Sequence, residues 1–259
     1  FFMRGKCQYR LSCWHCLGYT LSMLIAWVQL FFTKQKVKPM WKGYHFEPKM
    51  LSMLISYGLP SFIMNALGSF MVNFVNVFLV EYSDTAVAFF GAYFKVQQLI
   101  VMTVNGLIQG CLPIMRFNYR AKKERRLWQT YKTGTFIATI MMIAGTVLIL
   151  CFPDIILSLF SASKEMRAFG VSAMRILSLG FVFSGISTMI ATYKQATDSV
   201  IQSMMIQLLQ QGVLLIPLMW GLNHLLQIFG IWIAFPITEF LVCGIAVLFM
   251  KKTISFHMV

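Results

Sequence analysis

The chain has 259 residues, 58% of them hydrophobic and only 12% charged, and a mean hydropathy of +0.72. Such a composition excludes an ordinary water-soluble domain and points to lipid as the solvent. The formal charge of +14 does not indicate nucleic acid, because Lys and Arg sit in short loops between apolar runs and no basic, aromatic RNA-binding surface is encoded; the positive-inside bias explains it better.

A membrane-crossing helix needs about 20 apolar residues, so roughly six full spans fit in this length. The first apolar run, residues 17–32, is short for a span and lacks the small-residue cleavage site of a signal peptide; it reads as the tail of a helix. Lys34, Lys36, Lys38, Lys42 and Lys49 follow against Glu47 alone, a basic loop expected in the cytoplasm. The run 50–80 is longer than a membrane requires and is interrupted by Gly58-Leu59-Pro60, where the missing proline amide and the ring favour a kink. Gly58 and Pro60 are therefore hinge candidates.

Glu81-Tyr82-Ser83-Asp84 predicts an acidic outer turn, and residues 86–115 a returning helix. Arg116, Arg120, Lys122, Lys123, Arg125 and Arg126, opposed only by Glu124, hold the next loop in the cytoplasm. Residues 133–152 are expected to go out, 153–167 to connect with little net charge, 169–193 to return, and 194–199 to lie inside. Residues 203–221 leave again, 223–227 turn outside, and 228–250 return, so that Lys251 and Lys252 place the C-terminus in the cytoplasm. The expected fold class is all-α, a polytopic membrane helix bundle, with residues 1–49 as a partial preceding helix and basic loop, 50–252 as six helices and 253–259 as a cytoplasmic tail. Arg4, Lys6 and Arg10 would lie outside if residues 17–32 crossed fully, and the first residue is Phe1 rather than Met. We therefore expect a fragment whose sequence before about residue 17 is atypical.

Six cysteines, Cys7, Cys13, Cys16, Cys111, Cys151 and Cys243, show no disulfide framework and are expected to be reduced. Cys13-Trp14-His15-Cys16 lacks a second ligand pair and the strand and helix of a redox motif, so no metal site is expected. The histidines are scattered at 15, 45, 224 and 257, and there is no nucleophile elbow, phosphate loop or pair of carboxylates. An enzyme is not expected.

What remains is polarity at helical spacing within apolar runs, where other helices or a water-filled cavity must satisfy it. Asn65, Ser69, Asn73 and Asn76 share one stripe, and Lys95, Gln98, Met102, Asn105 and Gln109 another. The amides are either interhelical packing contacts or cavity lining. Lys95, near a helix end, can snorkel to the interface, and Arg175 can do the same or pair with an acid. Gln207, Gln210 and Gln211 form a further polar face before Pro217. Glu239, shortly after Pro236 and halfway along the last helix, is costly there unless paired, hydrogen-bonded or protonated. It is a candidate coupling site for a proton or cation, or a structural carboxylate bonded to backbone freed by Pro236 or to a neighbouring helix.

From Gly58 onward the order of motifs resembles the C-terminal half of the multidrug and toxic compound extrusion (MATE) family of transporters. The resemblance is carried by Gly58-Leu59-Pro60 opening a long helix, by Phe90-Gly91-Ala92-Tyr93-Phe94-Lys95-Val96, and by Gly106-Leu107-Ile108-Gln109-Gly110-Cys111-Leu112-Pro113-Ile114. Asn118-Tyr119-Arg120-Ala121-Lys122, Gln195-Ala196-Thr197-Asp198 and Trp232-Ile233-Ala234-Phe235-Pro236-Ile237-Thr238-Glu239 follow in order. It is nearest the bacterial multidrug-export branch. The family's fold implies twelve helices in two six-helix lobes around a central cavity, of which this chain supplies one lobe and the end of the sixth helix.

The chain departs from the family where one branch carries coupling carboxylates, near Gly68 and Phe183 here, and in having Arg120 for a loop glycine. The resemblance implies a plasma-membrane antiporter, coupled to protons or sodium, that exports amphiphilic and often cationic compounds by alternating access. Its partners would be those small molecules, membrane lipid and an N-terminal lobe; no nucleic acid and no cofactor beyond the coupling ion are implied. The substrate-cavity candidates are Asn65, Asn73, Gln98, Met102, Asn105 and Gln109. Two alternatives are a lipid-linked saccharide flippase of the same superfamily, whose site should be rich in Arg, and a membrane scaffold that does not transport.

Overall fold

A computed structural model describes the backbone of residues 2–32, 47–160 and 162–257, and the side chains of 16–31, 47–52, 55, 62, 66–160 and 162–251. Among the described residues every regular element is helical. Contacts divide the chain into two units, Phe1–Leu54 and Ile55–Val259.

The first unit holds helix α1 (Phe2–Phe32). Helical backbone thus begins well before the apolar run at 17–32, in the stretch expected to be atypical. The large apolar side chains described along α1, among them Leu17, Tyr19, Leu21 and Trp27, are exposed.

Helix α2 (Pro48–Val80) crosses from the first unit into the second. It is followed by α3 (Asp84–Arg120), α4 (Glu124–Cys151), a short α5 (Pro153–Leu159), α6 (Lys164–Ser178), α7 (Phe181–Ala196), α8 (Val200–Leu208), a π-helical turn (Leu209–Val213), α9 (Leu215–Leu226) and α10 (Ile228–His257). Among the described residues five stretches are long and apolar enough to cross a bilayer: Asp84–Arg120, Glu124–Cys151, Lys164–Ala196, Val200–Leu226 and Ile228–Lys251; the described part of α2 adds a shorter apolar run, Ala66–Val80. Leu99, Phe117 and Phe136, each about two-thirds exposed, display the apolar exterior of a helix bundle solvated by lipid.

Polar residues start and stop these helices. The Ser83 hydroxyl accepts from the Ala86 amide at 3.1 Å, capping α3, and the Ser163 hydroxyl accepts from Met166 at 3.1 Å, capping α6. Helices α3 and α7 both end with a residue of positive φ, Lys122 at 54° and Asp198 at 58°. In each case the next amide reaches back five residues, Lys123 to Asn118 and Ser199 to Lys194, both at 2.9 Å. The basic cluster therefore occupies helix ends and a turn of three residues rather than a loop.

In the interior, α3 lies along α4, α4 along α7, and α10 along both α7 and α9. Small residues permit the close approach: a Cβ added to Gly145 would strike Ile100, one on Gly185 would strike Met142, and one on Gly134 would strike Met189. Between α3, α6 and α10 the core is aromatic. Phe89 meets Trp232 edge-on at 5.3 Å, and Phe90 stacks on Trp232 at 6.4 Å and packs against Phe235 at 6.0 Å.

Hydropathy did not foretell several breaks. The helix expected over 169–193 starts at Lys164 and is divided at Leu179–Gly180, and the helix expected over 203–221 contains the π turn. The outer turn expected over 223–227 is Gln227 alone, with φ 52°, because α9 continues to Leu226. There Gly230 lies so close to the Leu222 carbonyl that no side chain fits. Lys194, placed just beyond the helix expected over 169–193, is wholly buried in the last turn of α7. Helix α10 continues to His257, through much of the expected tail.

Candidate functional site

A cavity of about 510 Å³ opens among α2, α3, α7, the π turn and α10. Its wall is dense in amides. Gln97, Gln98 and Asn105 come from α3, Gln195 from the end of α7, Gln207 from α8, and Gln210 and Gln211 from the π turn; Ser184 and Thr188 of α7 add hydroxyls, and Gly68, Met71, Phe94, Val101, Leu215 and Phe235 supply the apolar remainder. Glu239 is the one charged residue among them, and none of the described lining residues is Lys, Arg or His.

Glu239 is held by a neighbouring helix. The Gln210 Nε2 donates to its Oε1 at 2.9 Å and Oε2 at 2.8 Å, and lies 2.9 Å from the Ser184 Oγ. One amide nitrogen with two hydrogens thus serves three acceptors drawn from α7 and α10. Behind the carboxylate the chain is compressed: a Cβ on Gly180 would come within 3.2 Å of the Glu239 Cγ and 3.2 Å of the Pro236 Cα. The break at Leu179–Gly180 therefore sits where α10 needs room. Pro236, three residues before Glu239, frees the Trp232 carbonyl from its helical partner, yet the carboxylate bonds to Gln210. Of the two structural readings of Glu239, a bond to an adjacent helix is the one observed.

Three buried side-chain polar atoms among the described residues have no partner: Gln202 Oε1, Ser203 Oγ and Gln211 Oε1. All belong to α8 and the π turn, and Gln211 lines the cavity.

The structure distributes the sequence candidates unevenly. Gln98, Asn105 and Glu239 converge on the cavity. Asn73 is exposed and donates to the Ser69 carbonyl at 3.0 Å. Met102 is 58% exposed, Gln109 is also exposed, and neither these two nor Asn73 line the space. The side chains of Asn65, Gly58 and Pro60 lie outside the described residues; helix α2 passes through positions 58–60 without interruption. Lys95 faces a separate cavity of about 630 Å³, with Asp84, Ser163 and Met166. Sequence reasoning left out Gln97, Ser184, Thr188 and Gln195. The spacing of Ser184, Thr188 and Gln195, four and then seven residues, is itself a helical stripe and carried the missing signal.

The sequence profile of the MatE family matches residues 60–220. The chain belongs to the MatE family. Among curated relatives it is similar to the multidrug export protein MepA of Staphylococcus haemolyticus, 25% identical over 90% of this chain and 52% of that protein. MepA of Staphylococcus aureus strain MSSA476 is 24% identical over 76% of this chain and 43% of its own length. The chain spans about half the length of the curated relatives it matches.

Solved structures agree in fold. An outward-facing multidrug resistance MATE family transporter of the MOP superfamily superposes with a TM-score of 0.82 at 19% identity, covering 92% of this chain and 54% of that one. A MOP superfamily transporter from Pyrococcus furiosus, described as having a binding pocket of reversed polarity, gives 0.80 at 18% identity, with 92% and 54% covered. The all-α membrane bundle expected from sequence is thus the fold of MATE transporters, and this is a multi-pass membrane protein.

Proposed function

We propose that this chain forms one lobe of a cation-coupled multidrug antiporter of the plasma membrane, with its C-terminus in the cytoplasm. The reading is carried by one observation: a single carboxylate, Glu239, set in a cavity otherwise lined by amides, hydroxyls and apolar side chains. Neutral amides give an adaptable lining for varied amphiphiles, and the carboxylate supplies the one site that can exchange a proton or sodium for a cationic compound. Rocking of this lobe against an N-terminal lobe would expose the cavity to alternate faces. Proton or sodium coupling, drug substrates and lipid contact are parts of this proposal, and the relatives named multidrug export proteins support it.

The flippase alternative requires cations for an anionic headgroup. Lys95 faces another cavity and Arg175 is exposed, which favours the antiporter. A scaffold without transport has no use for a carboxylate presented in a cavity.

The test is efflux of a fluorescent cationic dye by the transporter containing this lobe, driven by imposed proton or sodium gradients. Glu239→Gln should remove the dependence on one of the two gradients while membrane levels stay intact. Gradient dependence identical to the parent protein would overturn the assignment.

A further inference from the structure

Gln210, which bonds Glu239, lies within the π turn. Gln210 and Leu215 line the same cavity, yet in an unbroken α-helix five residues at about 100° each would set them about 140° apart. Here Leu209–Val213 is π-helical, and the Leu214 amide donates to the Leu209 carbonyl, five residues back, at 3.2 Å. The extra residue absorbed by the turn is equivalent to about 100° of rotation, which brings Gln210 and Leu215 to within about 40° of one another. The sequence prepares this turn: Pro217 has no amide to offer the Val213 carbonyl four residues earlier.

Unmet polarity lies in the turn and in α8 before it. Gln202 Oε1, Ser203 Oγ and Gln211 Oε1 are buried without partners, whereas the Gln210 amide on the same helix serves three acceptors at 2.8–2.9 Å. The setting of this helix segment satisfies Gln210 at the expense of its neighbours.

We propose that Gln210 is the positioning residue for Glu239 and that the π turn is the device presenting it. The proposal builds on the reading of Glu239 as the ion-handling group. Gln210 aligns both carboxylate oxygens and links them to Ser184, so the carboxylate faces the cavity in one orientation. Among the described residues Tyr93 of α3 and Cys243 of α10 are the titratable groups near enough to sense its charge; Ser184 of α7 and Gln210 of the π turn are neutral.

Infrared difference spectra across a pH titration of the whole chain in lipid nanodiscs test this. The protonated-carboxyl band absent from Glu239→Gln belongs to Glu239. Gln210→Leu should move that band toward the frequency of a carboxyl without a hydrogen-bond donor and displace its midpoint by roughly tenfold in proton concentration. Deleting the exposed Val213, which returns the segment to α-helical register, should reproduce the Gln210→Leu shift, and combining the two should add nothing. A band unmoved by Gln210→Leu overturns the positioning role. If Glu239→Gln removes no band, the ion-handling reading falls. A thermal double-mutant cycle of Gln210→Leu with Glu239→Leu then decides positioning alone: non-additive midpoints uphold it and additive midpoints overturn it.

Discussion

The ammonium of Lys194, wholly buried at the end of α7, donates to the carbonyl of Phe249 in α10 at 3.0 Å. This bond ties two cavity-forming helices together near the turn that follows α7. A charge-assisted bond is costly to lose, and losing this one also removes a link between the end of α7 and α10. Lys194→Met, which preserves the aliphatic stem, should destabilise the chain by about 1–3 kcal/mol, read as a lowered thermal unfolding midpoint in detergent.

Gly180 and Gly91 make a matched pair. An alanine methyl at Gly180 meets the backbone of Pro236 and the stem of Glu239, each at 3.2 Å, while one at Gly91 meets nothing within 4 Å. Gly180→Ala should cost about 1–3 kcal/mol through overpacking. Gly91→Ala should be neutral or stabilise by about 0.5–1 kcal/mol by restricting the unfolded chain. Thermal unfolding of the two variants side by side measures the difference.

Asn105 lines the cavity and Gln109, one turn further along α3, does not. In dye-efflux assays, Asn105→Leu should therefore change export by about threefold to tenfold, the value of one hydrogen bond. Gln109→Leu should leave export unchanged at equal membrane levels. Equal effects of the two substitutions would contradict the cavity's outline.

Trp232 is buried between Phe89 and Phe90. Trp232→Ala should cost about 3–5 kcal/mol, enough to reduce the amount of folded protein recovered from membranes. Trp232→Phe, which keeps an aromatic face for both neighbours, should lose markedly less.

The alternation of apolar runs and basic turns was sufficient to read an all-α membrane bundle, since both signals are averages over many residues and survive small errors of register. Helix interiors were harder. At the break at Leu179–Gly180, Glu239 and Pro236 of another helix leave little room for a side chain on Gly180, and no local pattern reports an approach across 59 residues of sequence. The π turn was hidden for a related reason: a 3.6-residue period assigns faces on the assumption that the helix is unbroken, so the common face of Gln207, Gln210 and Gln211 was visible but its alignment with Leu215 beyond the turn was not. The stripe along α3 was readable because that helix continues through Pro113. There the spacing placed Gln98 and Asn105 together, while Met102 and Gln109 on the same stripe do not line the cavity. Lys194 was placed beyond the helix end because charge there ended the apolar run, whereas the Phe249 carbonyl of α10 accepts its ammonium.

One residue, Gln227, joins α9 to α10, and Gly230 lies against the Leu222 carbonyl beside it. Two helices hinged so tightly cannot slide lengthwise past each other, so a displacement of either is inherited by its partner. Leu215 and Glu239, on opposite arms of this hairpin, consequently travel as a single mechanical part. A change in the spacing between Glu239 and Gln210 would therefore shift the α9–α10 hairpin relative to α8, with Leu209–Val213 lying between them.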